Sequence, residues 1–202
     1  MFSTRMPIHR CFLGARSPFF RSVFAAAAKD RTSKFELKEL AKDFDVGYDA
    51  FVSVLSYLYT GRVRPPPEGV CVCVDENCCH FSCRPKVDFM VEVLYASFTF
   101  QIAESVGLYQ RHLLDILDKV AIDYIPLILS VANICDKACT RLLAKCFEVV
   151  KNSNLDDVTL EVFVPALLIL CCLGSTHVYI IHFSCELNRG NLYGRSGSTG
   201  AT

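Results

Sequence analysis

The sequence predicts an α+β chain, mostly helical with a short sheet, that carries one compact metal-binding insert and ends in a helical extension. Three observations lead there. Apolar residues recur at three- and four-residue spacing through most of positions 11–152, one short stretch alternates instead, and a dense cysteine and histidine run interrupts the helical pattern at positions 73–83.

Cys11 to Ala28 reads as helix in two pieces, because Ser17-Pro18 supplies an N-cap residue followed by proline at the first helical position. Phe12, Leu13, Phe19, Phe20, Val23 and Phe24 are then expected to face a core. Phe35-Glu36-Leu37 alternates apolar and polar, which predicts a short half-buried strand. Phe51, Val54, Leu55, Leu58 and Tyr59 return to helical spacing, and Gly61 stands where a helix should end. The run Arg62 to Gly69 holds three consecutive prolines that cannot donate to a helix or ladder, so it reads as a stiff extended connector.

Beyond the cysteine cluster, helices are expected over Val87 to Ser97, Ala103 to Asp118, Ile122 to Ala132 and Lys137 to Asn152. From Val162 to Cys185 no Asp, Glu, Lys or Arg occurs, and the remaining tail is rich in Gly, Ser and Asn. That length would permit a membrane span of ~20 apolar residues flanked by Arg189 and Arg195. Pro165, Gly174, His177 and His182 weigh against a span, and a divergent carboxyl end is the preferred reading.

With 202 residues, 52% of them hydrophobic, the chain can bury one sizeable core, or one core plus a small satellite. Lys plus Arg equal Asp plus Glu at 21 each, so the basic excess that phosphate-backbone binding calls for is missing and no direct nucleic-acid partner is expected. Met1 to Arg16 contains no uninterrupted apolar stretch of the secretory kind, which predicts residence in cytoplasm and nucleus. The twelve cysteines sit partly in helix-like runs and partly in one cluster, a distribution that suits reduced thiols plus a metal better than a disulfide framework.

Cys73, Cys78, His80 and Cys83, spaced C-x4-C-x-H-x2-C, form the best ligand set for a structural zinc ion. Four filled positions leave none for a reactive water. Cys71 and Cys79 are competing donors that spacing does not remove. The bland alternative is a reduced, solvent-facing cysteine loop. Cys11, Cys135, Cys139 and Cys146 lie on helix-like segments, where a free cysteine usually packs as a small hydrophobe. No Gly-rich phosphate loop, G-x-S-x-G elbow or H-E-x-x-H occurs, and His9 and His112 lack the partners of a general base. No catalytic residue is predicted, and no small-molecule cofactor.

The run His9-Arg10-Cys11-Phe12-Leu13-Gly14-Ala15-Arg16-Ser17-Pro18-Phe19-Phe20 resembles the H-[RK]-x-x-L-x-A-R-S-x-x-F signature of BTB/POZ domains, and Val46-Gly47-Tyr48 through Tyr59-Thr60-Gly61 resembles their later helix ending in Y-T-G. Arg62 to Pro67, the cysteine cluster and Cys83-Arg84-Pro85 are similar to the plant NPR family, the non-expressors of pathogenesis-related genes, as far as about Glu161. That resemblance implies a C2HC finger holding zinc through Cys73, Cys78, His80 and Cys83. It divides the chain into a partial BTB/POZ domain (1–70), the finger insert (71–84), continued BTB helices (85–118), BACK-like helices (119–161) and a divergent tail (162–202).

It further implies a truncated form of a salicylic-acid-linked defence co-regulator that pairs with itself or with relatives through the BTB domain. Cullin-type ubiquitin ligases and TGA-class bZIP factors are the family's expected partners. Ankyrin repeats and the salicylate-binding region do not fall within this chain. Two alternatives of other classes remain: a thiol redox sensor centred on Cys79 with Cys11 or Cys139, and a membrane-anchored variant acting on full-length relatives.

Overall fold

A computed structural model describes residues 6–29, 34–36, 40, 46–63 and 82–152. Seven α-helices are found among them: α1 (Arg10–Arg16), α2 (Pro18–Lys29), α3 (Tyr48–Thr60), α4 (Arg84–Thr99), α5 (Ala103–Ile116), α6 (Ile125–Ile134) and α7 (Thr140–Asn152). Single 3-10 turns at Leu117–Lys119, Ile122–Tyr124 and Asp136–Cys139 join the last three helices.

Local chemistry explains the breaks. Ser17 sits between α1 and α2 in extended conformation, and its Oγ accepts the Phe20 N–H at 3.1 Å while donating to the Phe100 carbonyl at 2.7 Å. One hydroxyl thus caps α2 and ties it to the end of α4. Because Ser17 is fully buried, Ser17→Ala would strand the Phe20 N–H without its cap and the Phe100 carbonyl without that donor. A loss of about 1–3 kcal/mol is expected, read as a lower urea midpoint at unchanged m.

α3 ends where glycine predicts: Gly61 adopts φ +69°, which costs a residue without Cβ nothing, and its N–H donates to the Tyr57 carbonyl at 2.8 Å. At the other end the Gly47 N–H donates to Glu92 Oε1 at 2.7 Å, so a carboxylate from α4 caps α3 and complements the positive end of its dipole.

α4 is the central element, packed against α3, α5 and α6, while α1 and α2 form a hairpin lying on α3 and α7 closes over α6 and α5. Its buried residues fall on nearly every side, from Val87 through Val91, Leu94 and Tyr95 to Ser97. A helix apolar around its circumference has to sit inside the fold, which accounts for its place. Phe100, just past its end, is wholly buried, with the rings of Phe19, Phe20 and Phe51 at 5.2, 5.4 and 5.5 Å. One continuous cluster of buried side chains runs from Leu13 to Cys146.

Tyr109 and Cys146 make that core sensitive to alkali. Burial pushes each up to about 12, from ordinary values of 10.0 and 9.0. Both are neutral when folded, so their contribution is intact at neutral pH and drains away as the unfolded chain ionises, above pH 9 for the thiol and above pH 10 for the phenol. Each group costs about 1.4 kcal/mol per pH unit in its window. Tyr109→Phe is expected to flatten the fall of unfolding free energy between pH 10 and 12, as pH-stepped urea titrations would register.

Two sequence expectations need correction. The described residues are helical with connecting turns and contain no strand or sheet, so the α+β class with a short sheet does not hold for them. At the expected strand, Phe35 and Glu36 lie outside any ladder, and the Leu40 N–H donates to the Glu36 carbonyl at 3.0 Å, a bond of helical register. Leu37 is outside the described residues. Alternation over three residues is too short to specify a strand, and Phe35 instead packs edge-on against Phe24 at 5.4 Å with the Arg10 guanidinium over its face at 5.2 Å. The second correction concerns Phe12, which is 39% exposed although it was expected in the core. It stacks on Tyr59 at 5.1 Å with ring planes 7° apart.

Candidate metal centre

Of the four expected ligands, Cys73, Cys78 and His80 fall outside the described residues, as do the rival donors Cys71 and Cys79 and most of the finger insert. Cys83 is described. It is half-buried, in extended conformation, at the N-cap position of α4, with Pro85 in the first turn. Its carbonyl accepts the N–H groups of Lys86 and Val87 at 3.1 and 3.0 Å. A helix therefore begins immediately behind the last expected ligand.

That placement fits a zinc thiolate. The positive end of a helix dipole favours a deprotonated sulfur, the form in which cysteine binds metal. Three thiolates and one neutral imidazole around Zn²⁺ would carry a net charge of about −1. Among the described residues, of which Cys83 is the one expected ligand, no group of three or more His, Cys, Asp and Glu side chains could hold a metal ion.

Charged and aromatic groups surround the start of α4. The Arg84 guanidinium lies 5.3 Å from the Tyr124 ring centroid, and its Nε is 3.8 Å from Asp88 Oδ2. The ion pair is more than a third exposed on both sides and stabilises little by itself. Burial pushes the Tyr124 phenol up, as do Asp123, Asp88 and Cys83, with Arg84 opposing them. Burial also raises Asp88, against the pull of Arg84. Sequence reading missed this cluster because Tyr124 lies far along the chain. Proline in the first turn of α4 was the available signal that the helix starts before Val87.

The other cysteines divide as burial dictates. Cys135, Cys139 and Cys146 are buried, whereas Cys11 is exposed, against its expected place in a core. A hydrogen bond to Cys139, and then burial, push the Cys135 thiol well above its ordinary range. Of the two partners expected for Cys79 in the redox alternative, Cys139 is buried and Cys11 is exposed, while Cys79 itself lies outside the described residues. His9 and His112 are surface residues: the His9 backbone N–H donates to the Tyr59 hydroxyl at 2.8 Å, and His112 lies edge-on to Tyr109 at 6.3 Å. No described helix is long and apolar enough to cross a membrane, and Val162 to Cys185 lies outside the described residues.

Residues 2–75, which include the α1–α2 hairpin and α3, match the BTB/POZ domain family. The regulatory protein NPR1 of Arabidopsis thaliana is 57% identical over 163 residues, covering 78% of this chain and 28% of that protein. The BTB/POZ domain and ankyrin repeat-containing protein NPR1 of Oryza sativa subsp. indica is 50% identical over 170 residues, with 78% and 29% covered. Arabidopsis regulatory protein NPR4 is 42% identical over 160 residues, with 78% and 28% covered. This chain belongs to the NPR family. It spans less than a third of the length of these curated relatives.

Proposed function

We propose that this chain is the protein-pairing module of a plant defence regulator, joining its own copies or NPR relatives through the BTB helices and braced by a structural zinc ion on Cys73, Cys78, His80 and Cys83. The observation that carries this reading is the joint occurrence of a BTB/POZ match over residues 2–75 and extended identity to proteins named as regulatory. BTB domains are interaction modules. The position of Cys83 at the start of α4 supports the metal part. Zinc here would stabilise the insert by closing a loop of soft ligands, without taking part in chemistry.

Within this reading the chain acts in cytoplasm and nucleus, in salicylic-acid-linked regulation of transcription. TGA-class bZIP factors and a cullin-type ubiquitin ligase are its proposed further partners, engaged through protein surfaces and not through nucleic acid. The balanced charge supports the last point.

Light scattering on the size-exclusion peak, with and without the matching segment of the Arabidopsis relative, tests the pairing. The expected mass is that of a homodimer, or of a one-to-one complex with the relative. A strict monomer that also fails to bind the relative overturns the proposal.

A further inference from the structure

Phe12 and Tyr59 make an aromatic shelf on the outside of the fold, where α1 lies against the end of α3. Their rings stack, and Phe12 stays 39% exposed. The shelf is held in place: the Tyr59 hydroxyl accepts the His9 backbone N–H at 2.8 Å, and the His9 ring meets Tyr59 edge-on at 5.9 Å. Arginines flank it. The Arg16 guanidinium carbon lies 6.0 Å from the Phe12 ring centroid, and its Nη1 donates to the Leu58 carbonyl at 2.6 Å, a bond that uses one of its several donors. A Cβ at Gly61 would sit 4.0 Å from Arg16 Nη2, so Arg62, the next residue and an exposed one, leaves the chain at the same corner. Residues 6–29 and 50–63 contain no Asp or Glu, which makes this corner basic in a chain without net charge. Among the described residues neither Arg16 nor Arg62 forms an ion pair, and Glu104 accepts the Tyr57 hydroxyl at 3.2 Å instead.

We propose that this corner is a docking surface for an acidic segment of a partner protein, one that carries a large apolar side chain between carboxylates. The apolar side chain rests on the exposed part of Phe12, and the carboxylates meet Arg16 and Arg62, whose planar forks suit them. Charge decides the occupant. A second copy using the same face would set two basic patches against each other, which costs free energy in place of supplying it. Nucleic acid asks for a run of cations along a backbone, and a chain with balanced charge and two arginines at one corner does not supply it. An acidic peptide needs only the two charges and the shelf. Because His9 and the Leu58 carbonyl already hold the Tyr59 and Arg16 side chains, little ordering is left to be done on binding. The inference requires neither the zinc ion nor pairing through the BTB helices.

Fluorescence anisotropy of a labelled peptide, glutamates around one central leucine, titrated with the full chain tests it. Saturable binding is expected below about 1 mM, weakening as salt is added. Arg62→Glu should weaken it about fivefold, the range of an exposed ion pair turned into a repulsion. Phe12→Ala should weaken it about three- to tenfold by removing the aromatic contact. Lys137→Glu makes the same change of charge at an exposed position on the 3-10 turn before α7, and should leave affinity within about twofold. If Phe12→Ala does not fold, Arg62→Glu, a surface change, decides the question. The inference falls if the peptide does not bind, if the same peptide with lysines for glutamates binds as tightly, or if Lys137→Glu weakens binding as much as Arg62→Glu. An unaltered chain that ignores the peptide but loses its own pairing in Phe12→Ala hands the face to a second copy. One that ignores the peptide but sediments with phosphatidylserine vesicles hands it to a membrane. Either result overturns the inference.

Discussion

Phe100→Ala is expected to lower the free energy of unfolding by about 3–5 kcal/mol. The ring is wholly buried, and it meets Phe19 and Phe20 of α2 and Phe51 of α3. Its removal therefore loses transfer energy and leaves a cavity lined by rings of two helices, α2 and α3, that cannot both collapse inward together. Its backbone carbonyl is also the acceptor of the Ser17 hydroxyl, so a shift of the chain there would disturb the cap of α2. Phe24 is a useful contrast. It is 9% exposed, nearer the end of α2, and its neighbours have more freedom to close up. Phe24→Ala should cost less than Phe100→Ala, and equal losses in urea titrations would contradict this account of the aromatic junction. For a domain whose total stability is of order 5–15 kcal/mol, Phe100→Ala approaches the limit of folding.

Removing zinc is expected to have the second large effect, and a different character. Isolated zinc-finger peptides draw about 10–16 kcal/mol from the metal and unfold without it. This chain has a helical core of its own, from Leu13 to Cys146, so chelation should release the insert and the first turn of α4 without dissolving the rest. If that loosening costs about 3 kcal/mol, the midpoint of thermal unfolding should fall by roughly 6–12 °C at this size. Far-ultraviolet circular dichroism at room temperature should keep most of its helical signal. Cys83→Ser should reproduce the lowered midpoint and show no further drop on chelation. A midpoint that chelation leaves unmoved in the unaltered chain would contradict a structural metal.

What the sequence disclosed depended on how local the determining contact is. Ser17-Pro18 and Gly61 are local signals, and both helix boundaries stand where they indicate. The spans of α5, α6 and α7 likewise follow from apolar spacing, differing from expectation mainly in the 3-10 turns at their starts and ends. Phe12 was misplaced because periodicity identifies an apolar stripe but not its edges, and this ring finds Tyr59 at the surface instead of the core. Phe35-Glu36-Leu37 misled for a related reason: alternation over three residues carries almost no information, and what fixes Phe35 is the distant Phe24 ring and Arg10.

Soft donors at short spacing single out Cys73, Cys78, His80 and Cys83 as the proposed ligand set, and of these only Cys83 falls among the described residues. The support around Cys83 was not readable. Neither the Arg84 contact with Tyr124 nor the Glu92 cap on Gly47, made across 45 residues, leaves a trace in nearby sequence, since each depends on how α4 lies among its neighbours.

The most direct test of the central claim is elemental analysis with X-ray absorption at the zinc edge on the purified full chain. The account predicts about one zinc per chain with three sulfur neighbours near ~2.3 Å and one nitrogen near ~2.0 Å, and loss of that zinc in Cys83→Ser. A chain isolated without zinc, or one whose zinc content and sulfur coordination are unchanged by Cys83→Ser, would contradict it.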